Sequence, residues 1–285
     1  MAFLTAFLWV QTLAPDFINQ PLWDDGQAEV VFYYVNRTQD QKGQNLNQGF
    51  LVGTYLVKHD FDPATQSKAE SGSNSGLESF KYALFYELES GSYQFKRNYV
   101  LNMAKSDLRP LKLSFTCFDW CSNTYRELWW KGPRQVALLF RSDDYGNQQT
   151  LLDLAQPALP TLGIPLYLRA LDFEKLDQHV FSVVDPLGEV AEVTARWGGS
   201  VQLMIQEQAI PVDFIDLRYS TSIASPIGEK NQLREVVFLA KTRDRILVKW
   251  QAGNRSYSME MLEHMRTAYW RENLYEQAKV VASRP

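Results

Sequence analysis

The chain is poor in the residue types that most site chemistries need. Of its 285 residues only two are cysteines and three are histidines. Cys117 and Cys121 are spaced C-x-x-x-C, and His59, His179 and His264 are scattered, so no C-x-x-C or H-x-x-x-H pair is present to hold zinc or run thiol redox chemistry. Metal: none, and cofactors: none, are therefore the expectations. Excess charge is missing as well. Twenty-nine Lys and Arg stand against 33 Asp and Glu, for a net charge of −4, and no basic block is free of acidic neighbours. That argues against a nucleic-acid partner, whose phosphates demand concentrated positive charge. There is no G-x-S-x-G elbow, P-loop, G-x-G-x-x-G or H-E-x-x-H. Without a nucleophile and its base, a non-enzyme is the expectation and a hydrolase the weakest alternative.

Long apolar runs are also lacking. The start, "MAFLTAFLWVQTLAPDF", is uncharged up to Asp16 but shorter than the roughly 20 residues of a spanning helix. Residues 1–14 read as a secretion signal, with Ala2 to Val10 as its apolar centre and Thr12-Leu13-Ala14 as its cleavage boundary, although no Lys or Arg precedes it. A buried first strand or helix is the other reading. The signal implies a periplasmic or secreted protein, close to the membrane without crossing it.

Aromatics, in contrast, make up 13% of the chain and fall in strand-like alternation. Phe80, Tyr82, Leu84, Tyr86 and Leu88 share one face while Lys81, Glu87 and Glu89 take the other; Ser90-Gly91 turns the chain into Tyr93, Phe95, Tyr99 and Leu101. The same period recurs at Leu111 to Cys117, Val136 to Phe140 and Ala191 to Trp197. Gly198-Gly199 reads as a turn into Val201, Leu203 and Ile205. "REVVFLAKTRDRILVKWQAGN" reads as two strands joined at Lys241 to Asp244, with Ile246, Val248 and Trp250 on one face. Closely spaced strands with turns between them predict a mainly β protein, a curved antiparallel sheet or half-barrel. Two lobes are expected, 15–142 and 166–285, with a crossover at 143–165 holding a short helical run near Thr150 to Ala155. After Ser258 as N-cap, Leu262, Met265, Tyr269 and Glu272 form a stripe that predicts a C-terminal helix over the sheet.

The segment from Leu111 to Trp130 holds both cysteines and three of the eight tryptophans. On a straight strand Cys117 and Cys121 would lie about 13 Å apart at ~3.3 Å per residue, whereas a disulfide needs their Cα atoms within about 7 Å. A turn over Asp119 to Asn123 would permit the bond, so Cys117 and Cys121 are a candidate disulfide; two buried thiols are the alternative. Trp120, Tyr125, Trp129 and Trp130 are the candidate ligand-binding residues. Trp129 and Trp130, being adjacent, must face opposite sides, one toward the core and one toward a cover or a cleft. Asp24-Asp25 and Asp143-Asp144 flank Gly26 and Gly146 as solvated turns do, and His59-Asp60 reads as a loop.

"FDWCSNTYREL" resembles the W-C-x-x-T segment of uncharacterised secreted bacterial β-rich proteins, themselves loosely similar to half-barrel lipoprotein carriers, and "VVFLAKTRDRILVKW" resembles their closing hairpin. The resemblance brings no catalytic residue with it. It implies an extracytoplasmic, non-catalytic binding or carrier module that holds an apolar envelope component on the concave face of the sheet, with a lipid or lipoprotein as partner. A structural or partner-binding envelope protein without a ligand cavity is the alternative.

Overall fold

A computed structural model describes residues 15–41, 44–70, 76–90, 93–119, 122–144, 146–227, 232–271, 273, 274, 276 and 279. The expected signal, 1–14, lies outside them, as do Trp120 and Cys121. Sixteen strands form one sheet: β1 (Ala28–Gln41), β2 (Gln44–Asp62), β3 (Ser67–Lys68), β4 (Leu77–Ser90), β5 (Tyr93–Ala104), β6 (Pro110–Phe118), β7 (Asn123–Gly132), β8 (Gln135–Ser142), β9 (Gly146–Asp153), β10 (Ala158–Pro160), β11 (Gln178–Val184), β12 (Val190–Ile205), β13 (Gln208–Ile223), β14 (Gln232–Ala240), β15 (Leu247–Ala252) and β16 (Tyr257–Thr267). Their spatial order is β10-β11-β12-β13-β14-β15-β16-β1-β2-β4-β5-β6-β7-β8-β9, with β3 on β2. Every pairing is antiparallel except β10 with β11. The predicted hairpins at 80–101 and 232–252 are present, and the 111–130 segment is strand, turn, strand as expected, its turn tied by the Asp119 N–H donating to the Ser122 carbonyl at 3.1 Å.

The two ends of the sheet, β9 and β10, are neighbours in the chain, so the sheet curls round without closing its hydrogen-bond ladder. The Trp130 Nε1–H reaches across to the Ala158 carbonyl at 3.2 Å, and the Gly188 turn beside β11 packs on Leu138 and Leu152 of β8 and β9. Both expected lobes thus share one sheet. They also share one main core, which joins Phe80, Tyr82, Leu84, Tyr86 and Leu88 of β4 to Val183, Val193, Leu217 and Trp250 of the other half.

A short helical segment packs against the inner face of the sheet. A 3-10 turn, Thr161–Gly163, runs into the helix Ile164–Ala170, with Pro165 in its first turn where a missing N–H costs nothing. Every residue from Thr161 to Leu171 is buried. A helix apolar nearly all round can be stable only inside a core. Its one charged residue, Arg169, donates through Nη1 and Nη2 to the two carboxylate oxygens of Glu29 on β1 at 2.7 and 2.6 Å, and through Nε to the Asp244 carbonyl at 2.9 Å. The Phe17 ring lies 5.0 Å below the guanidinium, and Phe17 and Trp23 seal that end of the core against Phe80.

Four predicted features take a different form, the first three because a β-bulge inverts which face odd and even residues occupy. The predicted C-terminal helix is β16 as far as Thr267. Leu262 is the unpaired residue between the pairs Phe32↔Glu263 and Tyr33↔Met261, so Leu262 and Met265 both reach the outer face and imitate a helical stripe. Among the described residues helical backbone comes only further on, in the 3-10 turn Tyr269–Arg271 and at Leu274, Glu276 and Lys279. The predicted turn at Gly198-Gly199 is a bulge within β12: a Cβ on Gly198 would stand 2.0 Å from the Phe214 ring, so only glycine admits that ring. Val248 is unpaired between Leu239↔Leu247 and Phe238↔Lys249 and faces outward, whereas Ile246 and Trp250 face the main core. The helical run expected at Thr150 to Ala155 is instead the edge strand β9 up to Asp153, and the crossover's helix lies at 164–170.

Breaking a buried ion pair from one side leaves an uncompensated charge. Arg169→Ala should therefore lower the urea unfolding free energy by about 3–5 kcal/mol, while Glu29→Leu combined with Arg169→Met recovers most of that loss. Lys175→Ala, which removes only an exposed partner of Asp172, should cost under about 0.5 kcal/mol. Equal effects at Arg169 and Lys175 would refute the internal anchor.

Candidate functional site

Among the described residues, an open groove lies on the outer face of the sheet. There Val57, Lys81, Asn102 and Lys112 form one cross-strand row over β2, β4, β5 and β6, since their strand neighbours Leu56, Tyr82, Leu101 and Leu113 point into the core. The row floors a groove of about 590 Å³. One wall is Tyr269 and Trp270, held in place because Tyr269 stacks on Tyr55 at 4.2 Å and Tyr55 stacks on Phe85 at 5.1 Å. The far wall is Gln66 and Lys68 beside β3. Val57 and Tyr269 belong to a second apolar cluster, built on Val30, Phe32 and Leu51, that the 262–274 segment covers only in part. Trp270, 55% exposed, stands at the limit of that cover.

The polar groups of the groove are unevenly matched. Lys58 is bonded to Asp24 and, at 2.8 Å, to Glu78; Lys112 pairs with Glu127 at 2.9 Å and donates to the Gln66 carbonyl. Lys68 and Lys81 make no ion pair among the described residues. His59 lies 3.1 Å from the Asn102 side-chain oxygen, and burial pushes its imidazole below the ordinary histidine range, so it is neutral near pH 7.

The residues singled out from sequence are not gathered in this groove. Trp129 is on the outer face with the Lys131 ammonium 5.1 Å from its ring, and Trp130 faces the core, the opposite orientations that adjacency requires. Tyr125 donates to Glu127 and, with Cys117 and Arg141, lines a separate depression of about 420 Å³ by the β6–β7 turn. Cys117 is a half-buried free thiol; its expected partner Cys121, and Trp120, lie outside the described residues. Asp24 and Asp25 are engaged by Lys58 and Arg266, and Asp143 accepts from the Asn123 N–H.

Two clusters elsewhere bear on chemistry, the first half-buried and the second buried. Glu29, Asp244 and His264 bring ligand atoms within 4.8 Å of one another, but both Glu29 oxygens already accept from Arg169, so a cation there would have to displace a guanidinium. On the inner face of β14, Glu235 accepts from Tyr219 and Tyr257, and Tyr257 also reaches Ser225 at 3.1 Å. Burial pushes the Glu235 carboxyl above its ordinary range and the two phenols well above theirs. All three side chains are sealed in the core, which makes the cluster a polar joint between β13, β14 and β16 rather than a reaction site.

No protein-family profile matches the chain, and no curated protein does. Among solved structures it is similar to a β-barrel-like protein of the domain of unknown function DUF1849 from Brucella abortus, over 84% of this chain and 97% of that one, with a TM-score of 0.50 and 8% identity. The likeness shows the fold: a mainly antiparallel, barrel-like sheet.

Because folding raises the Glu235 pKa, the native state keeps a proton that the unfolded chain releases near its ordinary value of 4.5. Its contribution is complete below that value and falls as pH rises through the higher, folded one. Glu235→Gln should remove this fall. The difference in unfolding free energy between the Gln variant and the native chain is expected to grow with pH above 4.5; a pH-independent offset would refute the assignment.

Proposed function

We propose that this is a non-catalytic binding or carrier module acting outside the cytoplasm, and that it holds the apolar part of an envelope component in the outer groove rather than inside the curled sheet. The observation that carries the reading is the partial cover: apolar surface on Val57, Val100 and Trp270 stays open on the outer face of a sheet that buries its own helix on the other. A soluble surface seldom leaves a contiguous apolar strip unused. Moving an acyl chain from water onto such a strip gains about 0.8 kcal/mol per buried methylene, so burying about ten of them would gain about 8 kcal/mol before the cost of association.

Catalysis has little support in the groove. His59 is turned toward Asn102 and the Asp60 carbonyl, with no nucleophile bonded to it among the described residues. Among these residues no helix is long and apolar enough to cross a membrane. A membrane-proximal place outside the cytoplasm, with a lipid or a lipoprotein as partner, fits the apolar amino terminus and the groove together; the acidic net charge argues against a nucleic-acid partner. The second reading, a scaffold or partner-binding envelope protein without a ligand, draws on the large buried core that the sheet shares with its internal helix.

Protein purified from native membranes should carry lipid detectable by mass spectrometry after extraction. Its tryptophan fluorescence should shift on adding detergent monomer below the micelle concentration, and Trp270→Ala should weaken that binding by about tenfold, the equivalent of ~1.4 kcal/mol. Lipid-free protein with unchanged fluorescence across a broad panel would leave the scaffold reading.

A further inference from the structure

We infer that the occupant of the outer groove is an amphiphile with an anionic head, a phosphate or a carboxylate, seated between Lys68 and Lys81 with its chain along Val57, Val100 and Trp270. The inference rests on the binding reading above and goes beyond it by fixing the charge of the head. Of the fifteen residues that line the groove, four are lysines, one is histidine and none is Asp or Glu. On a chain whose net charge is −4, that is a local inversion of sign.

The carboxylates near its rim do not cancel it. Asp24 and Glu78 are bonded to Lys58 at one end, and the Glu127 carboxylate is bonded to Lys112 and Tyr125 at the other. Lys105 adds a further positive charge beside Asp24 and Glu78, at 3.8 and 3.9 Å. The positive charges left over are those of Lys68 and Lys81. Lys81 is half-buried in the middle of the strand row, where an ammonium without a counter-ion is poorly solvated and an arriving anion replaces lost water. The placement also separates the two halves of an amphiphile. Lys81 and the Asn102 amide stand on β4 and β5 and Lys68 lines the same groove from β3, while Val100, Val57 and the exposed indole of Trp270 offer apolar surface beside them. A cationic head at the same place would meet two like charges, and a neutral head would leave both lysines unmatched. The attraction acts through partly exposed groups, so salt must weaken it.

The test uses the full chain and four probes below their micelle concentrations where these apply: dodecyl phosphate, dodecyl maltoside, dodecyl trimethylammonium and inorganic phosphate. Calorimetry and tryptophan fluorescence are read at low salt and at high salt. Dodecyl phosphate should bind at least about tenfold more tightly than dodecyl maltoside at low salt, the trimethylammonium compound more weakly than either, and the preference should shrink at high salt. Lys68→Gln with Lys81→Gln should bring dodecyl phosphate to within about twofold of the maltoside, and Lys81→Arg should keep the preference; circular dichroism melting confirms that each variant folds. Equal affinity for the three dodecyl compounds would overturn the anionic head and leave the binding module standing. Inorganic phosphate binding as tightly as dodecyl phosphate would overturn the amphiphile in favour of a plain anion site. Failure of every probe would overturn the groove reading together with this one.

Discussion

The Arg169 guanidinium is the point where the parts of the molecule are joined. It ties the internal helix to Glu29 on β1, a strand flanked by β16 and β2 near the middle of the sheet path, and to the Asp244 carbonyl in the turn before β15. Arg245 returns the contact, donating to the carbonyls of Arg169 and Leu171 at the helix C-terminus at 3.1 and 2.7 Å, where a cation meets the negative end of the helix dipole. A buried charge is costly unless its partners are all present, and here six side-chain and main-chain bonds, two of them Arg245's, lock one helix pose. Apolar packing alone would let a seven-residue greasy helix slide within a greasy tube; the ion pair fixes its height and rotation.

How far the sequence disclosed this fold depends on where the bulges lie. Strands without one, such as β4 and β5, could be read residue by residue from alternation, down to the faces of Phe80 and Lys81. At Gly198, Val248 and Leu262 an extra residue reverses the parity, and from there a reader counting by twos follows the wrong face. The stripe Leu262, Met265, Tyr269 misled because a strand that crosses a bulge and is covered on both sides gives spacings of three and four, the mark of a helix. The internal helix escaped because seven residues, with a proline in the first turn and an arginine in the last, are too few to show a period.

The groove was half legible. The sequence put Lys81 on the wet side of its strand, and similar reasoning would do so for Lys112. That these share a row with Val57 and Asn102 depends on register across four strands, and that the row has an aromatic wall depends on where the chain goes after Thr267. Neither is local information. Trp129 and Trp130 were drawn to notice by residue type, yet one is paired with Lys131 outside and the other closes the sheet edge inside, so the density of tryptophan marked a structural corner rather than the open surface.

The unclosed ladder between β9 and β10 has a mechanical meaning. In a closed barrel the number of strands and their stagger dictate the diameter, and the contents must suit it. Here no bond ring dictates anything, and the girth is set from within by the helix from Ile164 to Ala170, much as a mandrel sets the bore of a rolled sheet. Core volume and tube radius are therefore one variable: trimming a side chain on that helix would tighten the roll along its open seam between Leu152 and Gly188, rather than leave a hole at its centre.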